Sequence, residues 1–209
     1  MQALADWRRE SGHFEARREG QARYWFESEV RQGLLARLET KPARAAMAQL
    51  GLPPRAIPAR PDRAPHWPEG VLGSISHAGP FCLAVVGRSA DWEMIGIDLE
   101  PDRAMAAELV SEVASPGELA ALAPLPETLA ATRIFSAKEA AYKAQYAVTQ
   151  QYLGFAAMHI ELSPTPEGNV GEFVATFRQT AGSHFRIGDR VVGRWRRVGP
   201  LLATAVALD

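Results

Sequence analysis

Two pairs of charged residues have the types and the spacing that phosphate chemistry requires. Asp98 and Glu100 lie in the stretch IGIDLE, where alternation along a strand would place both carboxylates on one face beside Gly96. Two carboxylates next to a glycine suit a hard cation that still needs room for a ligand. Glu139 and Lys143 lie in the stretch FSAKEAAYK, four residues apart and therefore on one side of a helix. A carboxylate beside an ammonium group can serve a metal ion and the phosphate which that ion carries.

Each pair also has a simpler interpretation. Exposed strand faces are polar, so Asp98 and Glu100 are also explained as surface residues, and Glu139 and Lys143 as a surface ion pair worth about 0.3–0.5 kcal/mol. Taken together, three carboxylates, a lysine and scattered arginines fit Mg²⁺ on a substrate diphosphate better than they fit zinc. The sequence has no GxxxxGK[ST] motif and no kinase signature, so the common nucleoside triphosphate folds are not indicated.

The hydrophobic pattern predicts the elements of the first half of the chain. Residues 1–50 have a helical pattern, and the run ARAAMAQLG predicts a helix that ends at Gly51. Residues 52–70 are rich in proline and predict a stiff extended segment that presents Arg63 either to an anion or to solvent. Residues 71–87 predict two strands around the turn at Gly79-Pro80, and IGIDLE predicts a third strand.

Helices are predicted over residues 103–122 and 127–148, and the second carries Glu139 and Lys143. Ser136 and Glu139 also match a capping box, but the apolar pattern runs back without a break to Leu129, so we expect Ser136 to lie inside the helix. From Leu153 onward the sequence predicts short strands at MHIEL, GEFVATF and HFRIG, followed by two strands around a second Gly-Pro turn.

An internal repeat links the two Gly-Pro turns. A shift of 120 residues aligns identical residues of the two regions, among them Val71 with Val191 and Gly79-Pro80 with Gly199-Pro200. The repeat predicts two similar halves, residues 1–92 and 93–209, each containing a related hairpin. We therefore expect an α+β fold with the chemistry in one copy and at the seam.

Composition and charge narrow the class of protein. A net charge of −1 gives no overall field that attracts nucleic acid or a membrane. The single cysteine, Cys82, lies in the apolar run FCLAVV, where a small buried residue is expected rather than a nucleophile. No apolar run approaches the ~20 residues of a membrane span, and the N-terminus lacks a signal-peptide core. These features predict a cytoplasmic, soluble protein with no nucleic-acid or membrane partner.

Ser76 and His77 are adjacent in GSISH, at the end of the first predicted strand. Neighbouring strand residues point to opposite faces, so their adjacency does not make a catalytic pair and disfavours a serine hydrolase. A hydroxyl and an imidazole at a turn can still receive a phosphate.

With these residues assembled, the chain resembles the 4′-phosphopantetheinyl transferases of the surfactin- and enterobactin-synthetase-activating type. Three motifs match that family in order and spacing: GSISH, IGIDLEP and FSAKEAAYKA. The run RAPHWPEG before GSISH and the stretch YLGF after the helix are similar to the enterobactin-activating branch. The resemblance covers about residues 43–162.

The resemblance implies two similar α/β halves related by a pseudo-twofold axis, with the active site at the seam. It also implies a monomer that transfers the phosphopantetheine arm of coenzyme A to a serine of an apo acyl or peptidyl carrier protein, releasing 3′,5′-ADP. By motif position, the implied Mg²⁺ ligands are Asp98, Glu100 and Glu139. Lys143 would contact the diphosphate, and Glu139 would accept the serine proton.

Four further positions are implied to bind the phosphates of coenzyme A: Arg44, Arg63, Ser76 and His77. The basic run that the family shows before Arg44 is altered here, with Gly33 and Thr40 where arginines are expected. This departure leaves one alternative, a catalytically impaired module that binds coenzyme A or a carrier protein. A separate alternative is an Mg²⁺-dependent hydrolase of a diphosphate.

Overall fold

The protein is described here from a computed structural model, which covers residues 22–28, 40–53, 55–164 and 168–209. It is an α+β protein with two antiparallel sheets. The strands are β1 (Ala22–Ser28), β2 (Val71–Ala78), β3 (Phe81–Arg88), β4 (Met94–Pro101), β5 (Met158–Pro164), β6 (Val170–Phe177), β7 (Arg190–Val198) and β8 (Leu201–Leu208). The α-helices are α1 (Thr40–Gln49), α2 (Val110–Val113), α3 (Pro116–Ala120) and α4 (Glu127–Thr149), with 3₁₀ turns at Ala107–Leu109 and Phe155–Ala157.

The two sheets share part of their topology. The first sheet has the order β1-β3-β2, and the second has the order β4-β8-β7-β6-β5. Helix α1 packs on β1 and β3, and helix α4 packs on β4 and β8. Each sheet therefore has a first strand, a helix that packs on it, and a later hairpin whose second strand pairs with that first strand.

The two hairpins have the same register, as the internal repeat predicts. In the first hairpin Gly73 pairs with Val86, and in the second Gly193 pairs with Val206, each position shifted by 120 residues. Both Gly-Pro turns use a glycine in the left-handed region, with φ of 56° at Gly79 and 57° at Gly199. Only glycine adopts this conformation at little cost, which explains its presence at both turns.

Strand β4 lies between strands β2 and β3 on one side and helix α4 on the other, and it is buried from Met94 to Leu99. Its apolar residues Ile95, Ile97 and Leu99 pack in one core cluster with residues of β3, including Leu83 and Val85. Its other face meets α4. An interpretation of Asp98 as an exposed surface residue is therefore wrong, because both faces of the strand are covered.

Gly96 is required by the close approach of α4. A Cβ atom at this position would lie 2.0 Å from the carbonyl oxygen of Ala140 and 2.4 Å from the backbone nitrogen of Ala144. Small residues on the helix allow this approach, since Ala137, Ala140 and Ala144 are completely buried. The contact brings the side chains of α4 within reach of those of β4.

Several predicted elements are confirmed. Helix α1 ends just before Gly51, which has φ of 68°. The described residues between 52 and 70 contain only an isolated bridge from Ala59 to Pro65. Strands β2 and β3 surround the predicted turn, and α4 includes Ser136 well inside the helix.

Three predictions of local structure were wrong. Residues 22–28, expected to be helical, form the edge strand β1, because the run ARYWFES, which contains three aromatic residues, pairs along the central strand β3. The helix expected over 103–122 is broken into short pieces, because Ser115-Pro116 starts a new helix with a capping box to Glu118. The run HFRIG, residues 184–188, is not a strand, since only Phe185 pairs, in an isolated bridge with Ala181. Residues 1–21 and 29–39, also expected to be helical, lie outside the described residues.

In the described ranges, no helix has both the length and the apolar character needed to cross a membrane.

Candidate active site

A hydrogen-bonded cluster joins β2, β4 and α4 at the boundary between the two sheets. Lys143 Nζ lies 2.6 Å from Asp98 Oδ1 and donates to Ser76 Oγ at 3.3 Å. The Ser76 hydroxyl donates to Asp98 Oδ1 at 2.9 Å. Three elements that are distant in sequence thus contribute to one polar site.

Serine side chains connect β2 to β4 where the backbone ladder does not. Ser74 Oγ accepts a hydrogen bond from the backbone N–H of Ile97, and Ser76 Oγ accepts one from Leu99, each at 3.1 Å. These bonds satisfy two backbone donors that burial would otherwise leave without partners. They also fix the strand that carries Asp98 and Glu100 against β2.

Asp98 is a buried carboxylate with one oxygen unused. Its side chain is 3% exposed, and Oδ2 is buried without a hydrogen-bond partner among the described residues. A buried carboxylate oxygen left unpaired is costly. This oxygen is therefore chemically suited to bind a cation.

Glu139 lies near the Lys143 ammonium group, and Glu100 interacts with it electrostatically. Glu139 Oε2 lies 3.9 Å from Lys143 Nζ. Burial raises the pKa of Glu139, and the charge of Asp98 adds to this effect while Lys143 opposes it. Burial, then repulsion from Asp98 and Glu139, raises the pKa of Glu100 to about 7 against the attraction of Lys143. The acids concentrate negative charge that one lysine offsets only in part.

The carboxylates do not form a complete metal site as they stand. Within the described part of the chain, no group of three or more His, Cys, Asp or Glu side chains is arranged to hold a metal ion. Lys143 is the neighbour of Asp98 Oδ1 instead. The carboxylate oxygens are nevertheless of the type that a hard cation prefers. Asp98 Oδ2 is unpaired, and the raised pKa values of Glu100 and Glu139 reflect burial and mutual repulsion that a bound cation would relieve.

A cleft of about 410 Å³ opens beside Lys143. Its wall combines the proline-rich segment, β2 and α4, and its cations are Arg60, Arg63 and Lys143. Arg63 has φ of 69°, an uncommon conformation for a residue other than glycine. Its backbone N–H donates to the carbonyl of Arg60, which helps to hold the turn. The cleft therefore has the charge and the size for an anionic small molecule.

The predicted residues divide into two groups. Ser76, Asp98, Glu139 and Lys143 lie together, Glu100 lies close enough to interact with the two other carboxylates, and Arg63 faces the cleft. Arg44 on α1 and His77 on β2 are exposed and do not line the cleft. His77 points away from the Ser76 side of the strand, as strand alternation requires.

Sequence reasoning missed three contacts that support the site. Asp102, just after β4, accepts hydrogen bonds from the Arg133 guanidinium of α4 with both of its carboxylate oxygens. It also pairs with Arg197 of β7. Tyr146 donates to Asp62 at 2.6 Å and so ties α4 to the proline-rich segment. The sequence pattern gave little indication of these contacts, because each joins residues that are far apart in the chain.

The third missed contact is a buried ion pair behind Glu139. Lys138, 4% exposed, donates to the Val113 carbonyl at 2.8 Å and lies 3.1 Å from Glu118. Burial acts to raise the pKa of Glu118, but hydrogen bonds from Ser115 and Ile160 and the charge of Lys138 lower it overall. A buried lysine next to Glu139 in the motif is a signal that a partner carboxylate must exist.

Two family profiles match the chain. The 4′-phosphopantetheinyl transferase N-terminal domain matches residues 42–87, and the 4′-phosphopantetheinyl transferase superfamily matches residues 94–196. Both matches include residues of the Ser76–Asp98–Lys143 cluster.

Similar proteins include two that are named 4′-phosphopantetheinyl transferases and one that is named an enterobactin synthase component. The chain is 35% identical to the 4′-phosphopantetheinyl transferase PptT of Mycobacterium tuberculosis over 174 residues, which are 79% of this chain and 74% of the relative. It is 35% identical to the 4′-phosphopantetheinyl transferase Svp of Streptomyces mobaraensis over 172 residues, 79% of this chain and 68% of the relative. Enterobactin synthase component D of Salmonella typhi is 39% identical over 104 residues, 47% of this chain and 42% of the relative. The predicted resemblance is confirmed: the chain belongs to the 4′-phosphopantetheinyl transferase superfamily and is a transferase of phosphopantetheine.

Proposed function

We propose that the protein transfers the 4′-phosphopantetheine arm of coenzyme A to a serine hydroxyl of an apo acyl or peptidyl carrier protein and releases 3′,5′-ADP. The observation that carries the proposal is the cluster of Ser76, Asp98 and Lys143 beside Glu139 and a cationic cleft. We further propose that the protein acts as a monomer, with two halves related by a pseudo-twofold axis and the active site at their seam.

The cleft is proposed to bind the phosphates of coenzyme A. Arg60, Arg63 and Lys143 supply three positive charges along one wall, and guanidinium groups pair well with phosphate oxygens. Arg44 and His77, which resemblance implies near the 3′-phosphate, lie outside this wall. Their contact with coenzyme A stays a prediction.

Asp98, Glu100 and Glu139 are proposed to hold Mg²⁺, which would neutralise charge on the diphosphate. Asp98 Oδ2 is the free donor atom that supports this assignment. Lys143 lies next to the same carboxylates and would stabilise the charge that develops as the bond between the two phosphates breaks.

Glu139 is proposed to accept the proton of the attacking serine. The serine oxygen forms a bond to the phosphorus that bears the pantetheine arm, and the bond from that phosphorus to the oxygen of the leaving 3′,5′-ADP breaks. Burial raises the pKa of Glu139, which makes its carboxylate a better base near neutral pH. The chain needs no nucleophile of its own, because the partner brings the hydroxyl.

The first test is the intact mass of an apo carrier protein after incubation with this protein, coenzyme A and Mg²⁺. We expect a gain of one phosphopantetheine that a chelator abolishes and that Asp98→Asn or Glu139→Gln strongly reduces. Binding of coenzyme A without transfer to several carriers would favour the impaired binding module instead. Cleavage of coenzyme A without any carrier would favour the diphosphate hydrolase.

A further inference from the structure

The Ser76 hydroxyl uses its entire hydrogen-bonding capacity inside the protein. It donates to Asp98 Oδ1 and accepts from the backbone N–H of Leu99 and from Lys143 Nζ. A hydroxyl has one donor and two acceptor positions, and all of them are filled. A phosphate oxygen at Ser76 would have to replace one of these partners.

We propose that Ser76 is a positioning residue, whose hydroxyl holds the Asp98 carboxylate and the Lys143 ammonium group in place and does not contact coenzyme A. This inference rests on the proposed function and revises the role that resemblance implies for Ser76. It gives β2 a direct part in the reaction, because the strand orients two groups that it does not itself carry.

Burial supports this role. Ser76 is 7% exposed and does not line the cationic cleft, whereas Lys143 does. The hydroxyl binds the same carboxylate oxygen as Lys143 does, at 2.9 and 2.6 Å, so it restrains the direction in which that oxygen points. With Oδ1 held in this way, the unpaired Oδ2 has a defined direction for a cation.

The test compares Ser76→Ala with Ser136→Ala. Ser136 is also completely buried, and its hydroxyl lies 2.9 Å from that of Thr204, the β8 residue that pairs with Asp98. Among the described hydrogen bonds, that of the Ser136 hydroxyl goes to Thr204 and not to Asp98 or Lys143. Both variants lose one buried hydroxyl, so their thermal stabilities should fall by similar amounts. Only Ser76→Ala should lower kcat, by about ten- to a hundredfold, because misplacement of reacting groups costs this much. Ser76→Thr, which keeps the hydroxyl, should restore most of the rate.

The choice of substrate separates positioning from contact with the ligand. Rates are measured with coenzyme A and with 3′-dephospho-coenzyme A, on one apo carrier protein. Positioning predicts the same loss of kcat with both substrates and an unchanged KM for each. A loss seen as a raised KM for coenzyme A alone would overturn the proposal and assign Ser76 to the 3′-phosphate.

Two further outcomes are decisive. If Ser76→Ala and Ser136→Ala have equal kcat, the hydroxyl is only structural and the proposal is wrong. If Ser76→Ala does not fold, Ser76→Cys replaces it, since a thiol has nearly the same size and bonds weakly; the same loss of kcat is then expected, and wild-type kcat would overturn the proposal. Absence of transfer by the wild-type protein would instead refute the proposed function.

Discussion

Glu100 is the acid of the site whose charge depends most directly on pH near neutrality. Burial and the charges of Asp98 and Glu139 raise its pKa to about 7, from an ordinary value of 4.5. The folded state therefore binds this proton more tightly than the unfolded state does. Stability falls as pH rises from about 4.5 to about 7, because folding then requires a charged group in an unfavourable place.

The variant Glu100→Gln should remove this dependence. In the presence of chelator we expect its melting temperature to exceed that of the wild type at pH 8, with little difference at pH 5. Glu172→Gln is the matched control, since Glu172 is exposed and lies 3.7 Å from Arg194. Thermal unfolding at both pH values checks the prediction. A stabilisation by Glu100→Gln that is the same at pH 5 and pH 8 would contradict it.

For individual residues, the sequence predicted which charged side chains lie in the site, and it did not predict the contacts between them. Asp98, Glu139 and Lys143 were found because their spacing places charge on one side of a strand and of a helix. The contact between Lys143 and Asp98 spans 45 residues, and local periodicity carries no information on such a pairing. That the Ser76 hydroxyl uses all of its hydrogen-bonding positions is likewise visible only in the three-dimensional structure.

At the scale of elements, the packing of α4 on β4 determines the geometry of the site. The strand and the helix were both predicted, because each has a clear hydrophobic period. The reason for Gly96 was not, since a glycine beside carboxylates is compatible with both a ligand and a close helix. Strand β1 was missed because its pairing with β3 overrides the apparent helical pattern. The break at Ser115 was missed because a capping box there starts a new helix.

Gly96→Ala should destabilise the protein and separate Lys143 and Glu139 from Asp98, the groups proposed to act in the reaction. Its Cβ would clash with backbone atoms of Ala140 and Ala144, at 2.0 and 2.4 Å. Backbone atoms cannot rotate out of the way as a side chain can. We therefore expect the free energy of unfolding to fall by about 3 kcal/mol or more, the upper end of the cost of overpacking a core. Transfer activity should fall further than the unfolded fraction explains, because α4 moves with Lys143.

The control for this change is Gly117→Ala. A Cβ at Gly117 in α3 meets nothing within 4 Å, so we expect unchanged or slightly higher stability, by about 0.5–1 kcal/mol. Urea unfolding measures both variants. Equal stabilities of the two variants would show that α4 tolerates displacement.

The hydrogen bond from Tyr146 to Asp62 connects a second pair of elements. It fastens the proline-rich turn, which carries Arg63, to the helix that carries Lys143. Asp62 Oδ1 also accepts from the backbone N–H of Ala64 at 3.0 Å, so the carboxylate organises the turn from within. The Tyr146 hydroxyl therefore helps to set the position of Arg63 relative to Lys143.

Tyr146→Phe should raise the KM for coenzyme A several-fold and leave kcat unchanged, because the turn with Arg63 loses its tie to α4. Tyr152→Phe is the control, since Tyr152 is 82% exposed. Initial rates at varied coenzyme A measure both variants. A fall in kcat without a change in KM would show that Tyr146 acts on the reacting groups instead.

Across the molecule, Asp102 joins the end of β4 to helix α4 and to the hairpin β7–β8. Its side chain is 2% exposed and binds Arg133 at 3.0 and 3.2 Å, together with Arg197. Its backbone N–H donates to the carbonyl of Pro200, in the turn between β7 and β8, at 2.8 Å. Strand β4, helix α4 and the hairpin β7–β8 thus meet at one carboxylate.

Asp102→Asn should therefore lower the free energy of unfolding by about 3–5 kcal/mol. The amide removes the negative charge and turns one acceptor into a donor that faces guanidinium groups, which are donors only. Glu161→Gln is the matched control, because Glu161 pairs with Arg190 at 3.4 Å with both side chains more than half exposed; about 1 kcal/mol or less is expected there. Urea unfolding of both variants at one pH checks the difference. If Asp102→Asn cost no more than Glu161→Gln, the two arginines would be solvated rather than paired, and the end of β4 would be held by the hairpin backbone alone.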